Sequence, residues 1–99
     1  MGDEFNFIQL SGFDWDEANR EKNWIRHKVD YKESEEIFFN KPLFIDENVK
    51  HLSKEKRFEA LGQTNKGRGL FVVFTIRNNK IRIISARDQD SKERRKYEN

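Results

Sequence analysis

The stretch LFVVFTIRNNKIRIISA, Leu70 to Ala86, decides the fold. Leu70 to Ile76 is built almost wholly of β-branched and aromatic residues, which suit a pleated strand. Asn78-Asn79 suits a two-residue hairpin turn, because Asn tolerates positive φ better than most residues. Lys80 to Ala86 then returns antiparallel. With Arg77 and Lys80 flanking the turn, the expected pairs are Ile76–Ile81, Thr75–Arg82, Phe74–Ile83, Val73–Ile84 and Phe71–Ala86. Side chains alternate between faces. Leu70, Val72, Phe74 and Ile76 therefore share the core face with Ile81 and Ile83, and Thr75, Arg77, Lys80 and Arg82 stand opposite. The same alternation returns Arg87 to the core side.

Working outward, Lys56 to Leu61 reads as a preceding strand and Thr64 to Gly69 as the turn region between. Downstream, Asp90 or Ser91 opens a charged C-terminal helix, with Glu93 placed to support the cap. Upstream, Asp14 followed by Glu17 resembles a capping box and starts a helix over Trp15 to His27, with Trp15, Ala18 and Ile25 on its inward stripe. Asp30 and Glu33 repeat the signature for a second helix, Tyr31 to Phe39, which turns Tyr31, Ser34, Ile37 and Phe38 inward and which Pro42 ends. Leu43 to Ile45 makes a short strand, followed by a polar loop from Asp46 to Glu55. Phe5, Phe7 and the residues up to Phe13 suit an initial strand ended by Gly12. The expected class is α+β: two N-terminal helices, a small antiparallel sheet and a C-terminal helix. Residues 1–12 read as an extension or first strand, and 13–99 as one domain.

Composition limits the alternatives. Ninety-nine residues fit one thin core, and 13% aromatics among 38% charged residues imply a core of few, bulky side chains. There is no Cys, so no disulfide or thiolate metal site exists. The longest apolar run, Leu70 to Ile76, is far short of the ~20 residues of a membrane helix, and Met1-Gly2-Asp3-Glu4 lacks the basic start of a secretory signal. These features fit a cytoplasmic protein. Net charge is only +2, but from Arg77 to Glu98 eight cations (Arg77, Lys80, Arg82, Arg87, Lys92, Arg94, Arg95, Lys96) face four acids (Asp88, Asp90, Glu93, Glu98). Such a tail attracts a polyanion locally; a solvated charged surface is the plainer alternative.

Several motifs together resemble the BrnT family of toxins. Phe13-Asp14-Trp15-Asp16, Asn23, Arg26-His27, Val29 and Tyr31 match its opening, and Arg57-Phe58 with Leu61-Gly62 its middle. Val72 to Thr75, Ile81 to Arg87 and Glu93-Arg94-Arg95 with Tyr97-Glu98 match its close. Asn19 stands where the family usually has Lys, which weakens any role for an ammonium there, and Lys28 where it usually has Gly, which suggests a different turn before Val29. The resemblance implies a RelE-like α+β fold and a metal-independent endoribonuclease without cofactor that blocks translation. It further implies neutralisation by a BrnA-like ribbon-helix-helix antitoxin, which would carry any contact with operator DNA.

Cutting RNA without a metal needs a base for the 2′-OH, cations for the crowded phosphorane and an acid for the leaving 5′-oxygen. Guanidinium forks suit the second task. Arg57, Arg82 and Arg87 come from successive strands and are the candidate cations, each with a structural role as its alternative: pairing to Glu59 or Glu55 for Arg57, to Glu93 or Asp90 for Arg87, and a solvated strand face for Arg82. Free histidine has a pKa near neutrality, which makes His27 the candidate for proton transfer, or else a helix C-terminal cap. Glu59 and His51 are weaker candidates. Arg77, Lys80, Arg94 and Tyr97 are candidate substrate-binding residues, Tyr97 equally an anchor for the last helix. His27 and His51 show no metal-ligand spacing, Gly62, Gly67 and Gly69 form no phosphate loop, and Ser85 has no nucleophile elbow. Phe71 and Phe74 are strand core before they are stacking platforms.

Overall fold

The computed structural model describes residues 11–48 and 56–99; the strand expected through Phe5 and Phe7, and also His51 and Glu55, lie outside them. The described elements are α1 (Glu17–His27), α2 (Tyr31–Glu36) running into a 3-10 turn (Ile37–Phe39), β1 (Phe44–Asn48), β2 (Arg57–Gln63), β3 (Gly69–Arg77), β4 (Lys80–Asp88) and α3 (Ser91–Glu98). The four strands form one antiparallel sheet in the order β1-β2-β3-β4. The α+β expectation holds. Asn78 and Asn79 sit at φ 52° and 64°, the two positive values that a type I′ hairpin turn requires.

The hairpin register holds from Arg77–Lys80 to Phe74–Ile83 and then shifts, so that Val73 pairs with Ser85, Val72 with Ala86 and Phe71 with Arg87. One extra residue on β4 forms a bulge, and beyond it every side chain changes face. Ala86 is thereby buried beside Val72 in the core. Arg87 is turned to the outer face with Arg82, which corrects the unbulged alternation. Hydrophobic patterning alone hides the bulge, since Ile83, Ile84 and Ala86 suit either register.

The core lies on one face of the sheet, where Leu70, Val72, Phe74, Ile81, Ile83, Ala86 and Ala60 meet Val29, Ile37 and Phe38. Phe74 is central: Phe38 meets its edge at 5.1 Å and Phe58 stacks on it at 5.2 Å. Gly62 permits the second helix to lie this close, for a Cβ there would come within 2.8 Å of Ile37 Cβ. That helix begins at Asp30 with the expected capping box and buries Ser34, Ile37 and Phe38.

Helix α1 departs from expectation. Its cap is Asp16, not Asp14, because the chain before it is engaged along the edge of β4. Ser11 N donates to Asn79 O, Ile81 N to Gly12 O, and Asp14 N to Ile81 O. The helix then continues this edge protection with side chains: Asn19 Nδ2 donates to Ile83 O at 2.8 Å, Lys22 Nζ to Ile84 O at 2.5 Å, and Asn23 Oδ1 accepts from Ala86 N at 3.1 Å. An open strand edge carries unpaired backbone donors and acceptors, so the helix face that meets it is polar. Asn23 is the buried residue of α1, while Ile25 is 69% exposed, the reverse of the expected apolar stripe. Strand β1 also runs further than expected, since Asp46 and Glu47 pair with β2.

Candidate nucleic-acid interface

The outer face of the sheet is a ruled array. Strand pairing sets Phe44, Leu61, Phe71 and Arg87 in one row, and Asp46, Glu59, Val73 and Ser85 in a second. In a third row Thr75 pairs with Arg82, and the β2–β3 register extended by one residue sets Arg57 on the other side of Thr75. Two strand spacings separate Arg57 and Arg82, so their Cα atoms are about 10 Å apart. Both side chains are long enough to converge above Thr75. Arg87 lies two rows away, about 13 Å along the strands. The three arginines share a face, but only Arg57 and Arg82 share a row.

Their present partners differ. Arg57 Nε is buried with no hydrogen-bond partner among the described residues, a donor of the kind that requires explanation. Thr75 is buried beside it, and its hydroxyl donates to Lys56 O at 2.7 Å. Arg82 reaches toward the start of α1, with Asp16 at 3.0 Å and Asp14 at 3.7 Å. The Asn19 backbone N–H and then Arg82 hold the Asp16 carboxyl below its ordinary value. Arg87 is the most committed: Glu93 accepts from both of its terminal nitrogens at 2.9 Å, and its guanidinium lies 4.3 Å over the Phe71 ring. Glu93 also closes the capping box of α3, accepting from Asp90 N at 2.9 Å. Helix α3 thus lies over the Arg87 row and leaves the Arg57–Arg82 row beyond it.

The remaining candidates are scattered. His27 is exposed in the last turn of α1, toward the Asp88 end of β4, where its charge helps to lower the Asp88 carboxyl after the larger effects of Arg68. Arg77 and Lys80 flank the exposed hairpin turn. Arg94 is exposed on α3. Tyr97 donates to Pro42 O at 2.6 Å and meets Phe44 edge-on, so it anchors α3; burial raises its phenol above the usual value. Glu59 occupies the middle row, one row from Arg57. Among the described residues no group of three His, Asp or Glu side chains is arranged to hold a metal ion.

Two residues outside the expected set matter to this architecture. Arg68 binds Asp88 at 2.7 Å and Glu33 at 3.0 Å and donates to the Lys28 carbonyl at 3.0 Å, tying β4, α2 and the end of α1 together. Nothing in a turn-region arginine signals this. Lys22 had a signal: it lies three residues after Asn19, hence on the same helix face.

Comparison with known proteins agrees with the fold. The sequence matches, over residues 15–93, the profile of the family described as "Ribonuclease toxin, BrnT, of type II toxin-antitoxin system". Among solved structures it is similar to the ribonuclease toxin BrnT of Brucella abortus, with a TM-score of 0.55 and 22% identity, covering 81% of this chain and 97% of that one. No curated protein matches the sequence significantly.

Proposed function

Because the chain belongs to the BrnT family of ribonuclease toxins of type II toxin–antitoxin systems, we propose that it cuts RNA on the outer face of its sheet, without a metal ion, and thereby blocks translation in the cytoplasm. The observation that carries this reading is the row Arg57–Thr75–Arg82, with the buried Nε of Arg57 still without an acceptor among the described residues. A phosphodiester held above the buried Thr75, between the two arginines, receives a guanidinium from each side. Both forks favour the dianionic phosphorane over the monoanionic ground state, which is the differential binding that lowers a barrier. Arg82 changes partner in this step, giving up the Asp16 carboxylate for phosphate oxygens. Glu59, one row away on the same face, is the candidate base, while His27 lies at the periphery. Glu59 takes the 2′-OH proton as the 2′-oxygen bonds to phosphorus and, through water, returns it to the 5′-oxygen as that P–O bond breaks. Arg87 holds the neighbouring length of RNA once Glu93 releases it, with Arg77, Lys80, Arg94 and Tyr97 as outer contacts.

The toxin domain is assigned to residues 13–99, with 1–12 as an extension. Its partner is a BrnA-like ribbon-helix-helix antitoxin, through which alone the pair meets operator DNA. The test is incubation of purified protein with RNA in excess chelator, beside Arg57→Gln and Arg82→Gln. Cleavage by the wild type, falling on the order of 100-fold in each folded variant, is expected when a transition-state cation is removed. Intact RNA with wild-type protein rejects the reading.

A second reading has its own observation. Arg82 and Arg87 are both engaged with carboxylates, which suits a catalytically inactive module that binds RNA or protein. RNA bound but uncut after long incubation selects it.

A further inference from the structure

An open groove of about 530 Å³ lies along α1, lined by Asp16, Ala18, Asn19, Lys22, Ile25 and Arg26. Every lining residue belongs to α1 or its N-cap, and Lys22 reaches from this face to the β4 edge, where it donates to the Ile84 carbonyl. The charges here are one-sided. Arg82 is answered by Asp16 and Asp14, but neither Lys22 nor Arg26 has a carboxylate partner among the described residues. The three cations feel one another: burial first, then Arg26 and Arg82, hold the Lys22 ammonium below its ordinary value. An anion entering between them relieves such repulsion.

We propose that Lys22 and Arg26 form a second phosphate subsite for RNA, adjoining Arg82, so that the strand leaves the sheet face and crosses the β4 edge onto α1. This rests on the ribonuclease reading and gives the substrate a path. Residues four apart on a helix stand about 6 Å from one another, close to the step between successive phosphates of a single strand. Asn19 already commits its side-chain amide to Ile83 O, so the cations of this groove are Lys22 and Arg26. The groove is open along its length, which suits a backbone passing through better than an enclosed small anion. An acidic protein segment would meet the same charges, and the experiment separates the two.

The experiment measures binding of single-stranded 2′-O-methyl RNA, which cannot be cut through its 2′ oxygen, to the full chain across a salt series. Wild type is compared with Lys22→Gln, Arg26→Gln, the double variant and Lys66→Gln, a control in the β2–β3 turn. Neutralising one phosphate-binding cation should make the plot of log affinity against log salt shallower by about 0.7, hence about 1.4 for the double variant, with Lys66→Gln unchanged. Among the described residues the Arg26 side chain makes no hydrogen bond or ion pair, so Arg26→Gln carries the test should Lys22→Gln unfold. Variants that keep the wild-type slope, while wild type still cleaves RNA, overturn the subsite and leave the groove to an acidic protein. A slope that flattens equally in Lys66→Gln also overturns it, as general surface charge. Wild type that neither binds nor cleaves RNA overturns the subsite and the ribonuclease reading together.

Discussion

Lys28 sits at φ 57° and ψ 37°, the left-handed conformation that closes α1, and its N–H donates to the Asn23 and Trp24 carbonyls. Holding that conformation costs a side chain with a Cβ roughly 1–2 kcal/mol, and glycine is spared it. Lys28 thus strains a turn that a glycine would adopt freely. Lys28 recovers a little by lying 5.3 Å over the Trp24 ring, an exposed cation–π contact. Set against that contact and the extra unfolded-state freedom of glycine, Lys28→Gly should stabilise the fold by about 0.5–1 kcal/mol. Urea denaturation checks this; an unchanged or lower midpoint shows that the Trp24 contact outweighs the backbone strain. The sequence marked Lys28 as a turn position, but its left-handed backbone shows only in the fold.

Among the elements, the two hairpin strands and the capping boxes of α2 and α3 were legible, because each rests on local chemistry: β-branched runs, an Asn-Asn turn, and Asp with Glu three residues on. What escaped reading was decided by neighbours. The β4 bulge leaves the hydrophobic pattern intact, yet it moves Arg87 from the core side to the face it shares with Arg82. The polar face of α1 makes sense only once a strand edge lies beneath it. The candidate site was legible as residue types and partly as an arrangement: Arg57 and Arg82 flank Thr75 in one row, while Arg87 stands apart under α3. That helix buries none of its residues and is held by Arg87–Glu93, Tyr97 to Pro42 O, and the distant pair Lys96–Asp46 at 3.8 Å. Opening it exposes little apolar area, so it should open far more readily than the sheet. Amide hydrogen exchange is expected to be faster in α3 than in β3 by a factor on the order of 100. Equal protection of the two would mean that α3 unfolds only with the whole domain, and that release of Arg87 is correspondingly costly.

For the molecule as a whole, the helices are joined to the sheet by one thin core and by ion pairs at its margins, so acid should loosen it. Arg68 grips Asp88 and Glu33 at one end of β4, and Arg82 grips Asp16 toward the other. Both aspartates are held below their ordinary value: Asp88 chiefly by its hydrogen bonds from Arg68, Asp16 by the Asn19 N–H and Arg82. A carboxyl depressed in the folded state contributes stability above its unfolded pKa of about 3.9 and loses it as pH falls through the lower folded value. The urea midpoint should therefore stay level from about pH 7 to 5 and decline below about pH 4. Asp88 is 57% exposed, and solvent screening limits its share to about 1 kcal/mol. Asp88→Asn should lower stability near neutrality by about that amount and flatten the acid decline. A midpoint that falls equally steeply in wild type and Asp88→Asn would assign acid sensitivity to other carboxylates and reduce Arg68–Asp88 to a surface contact.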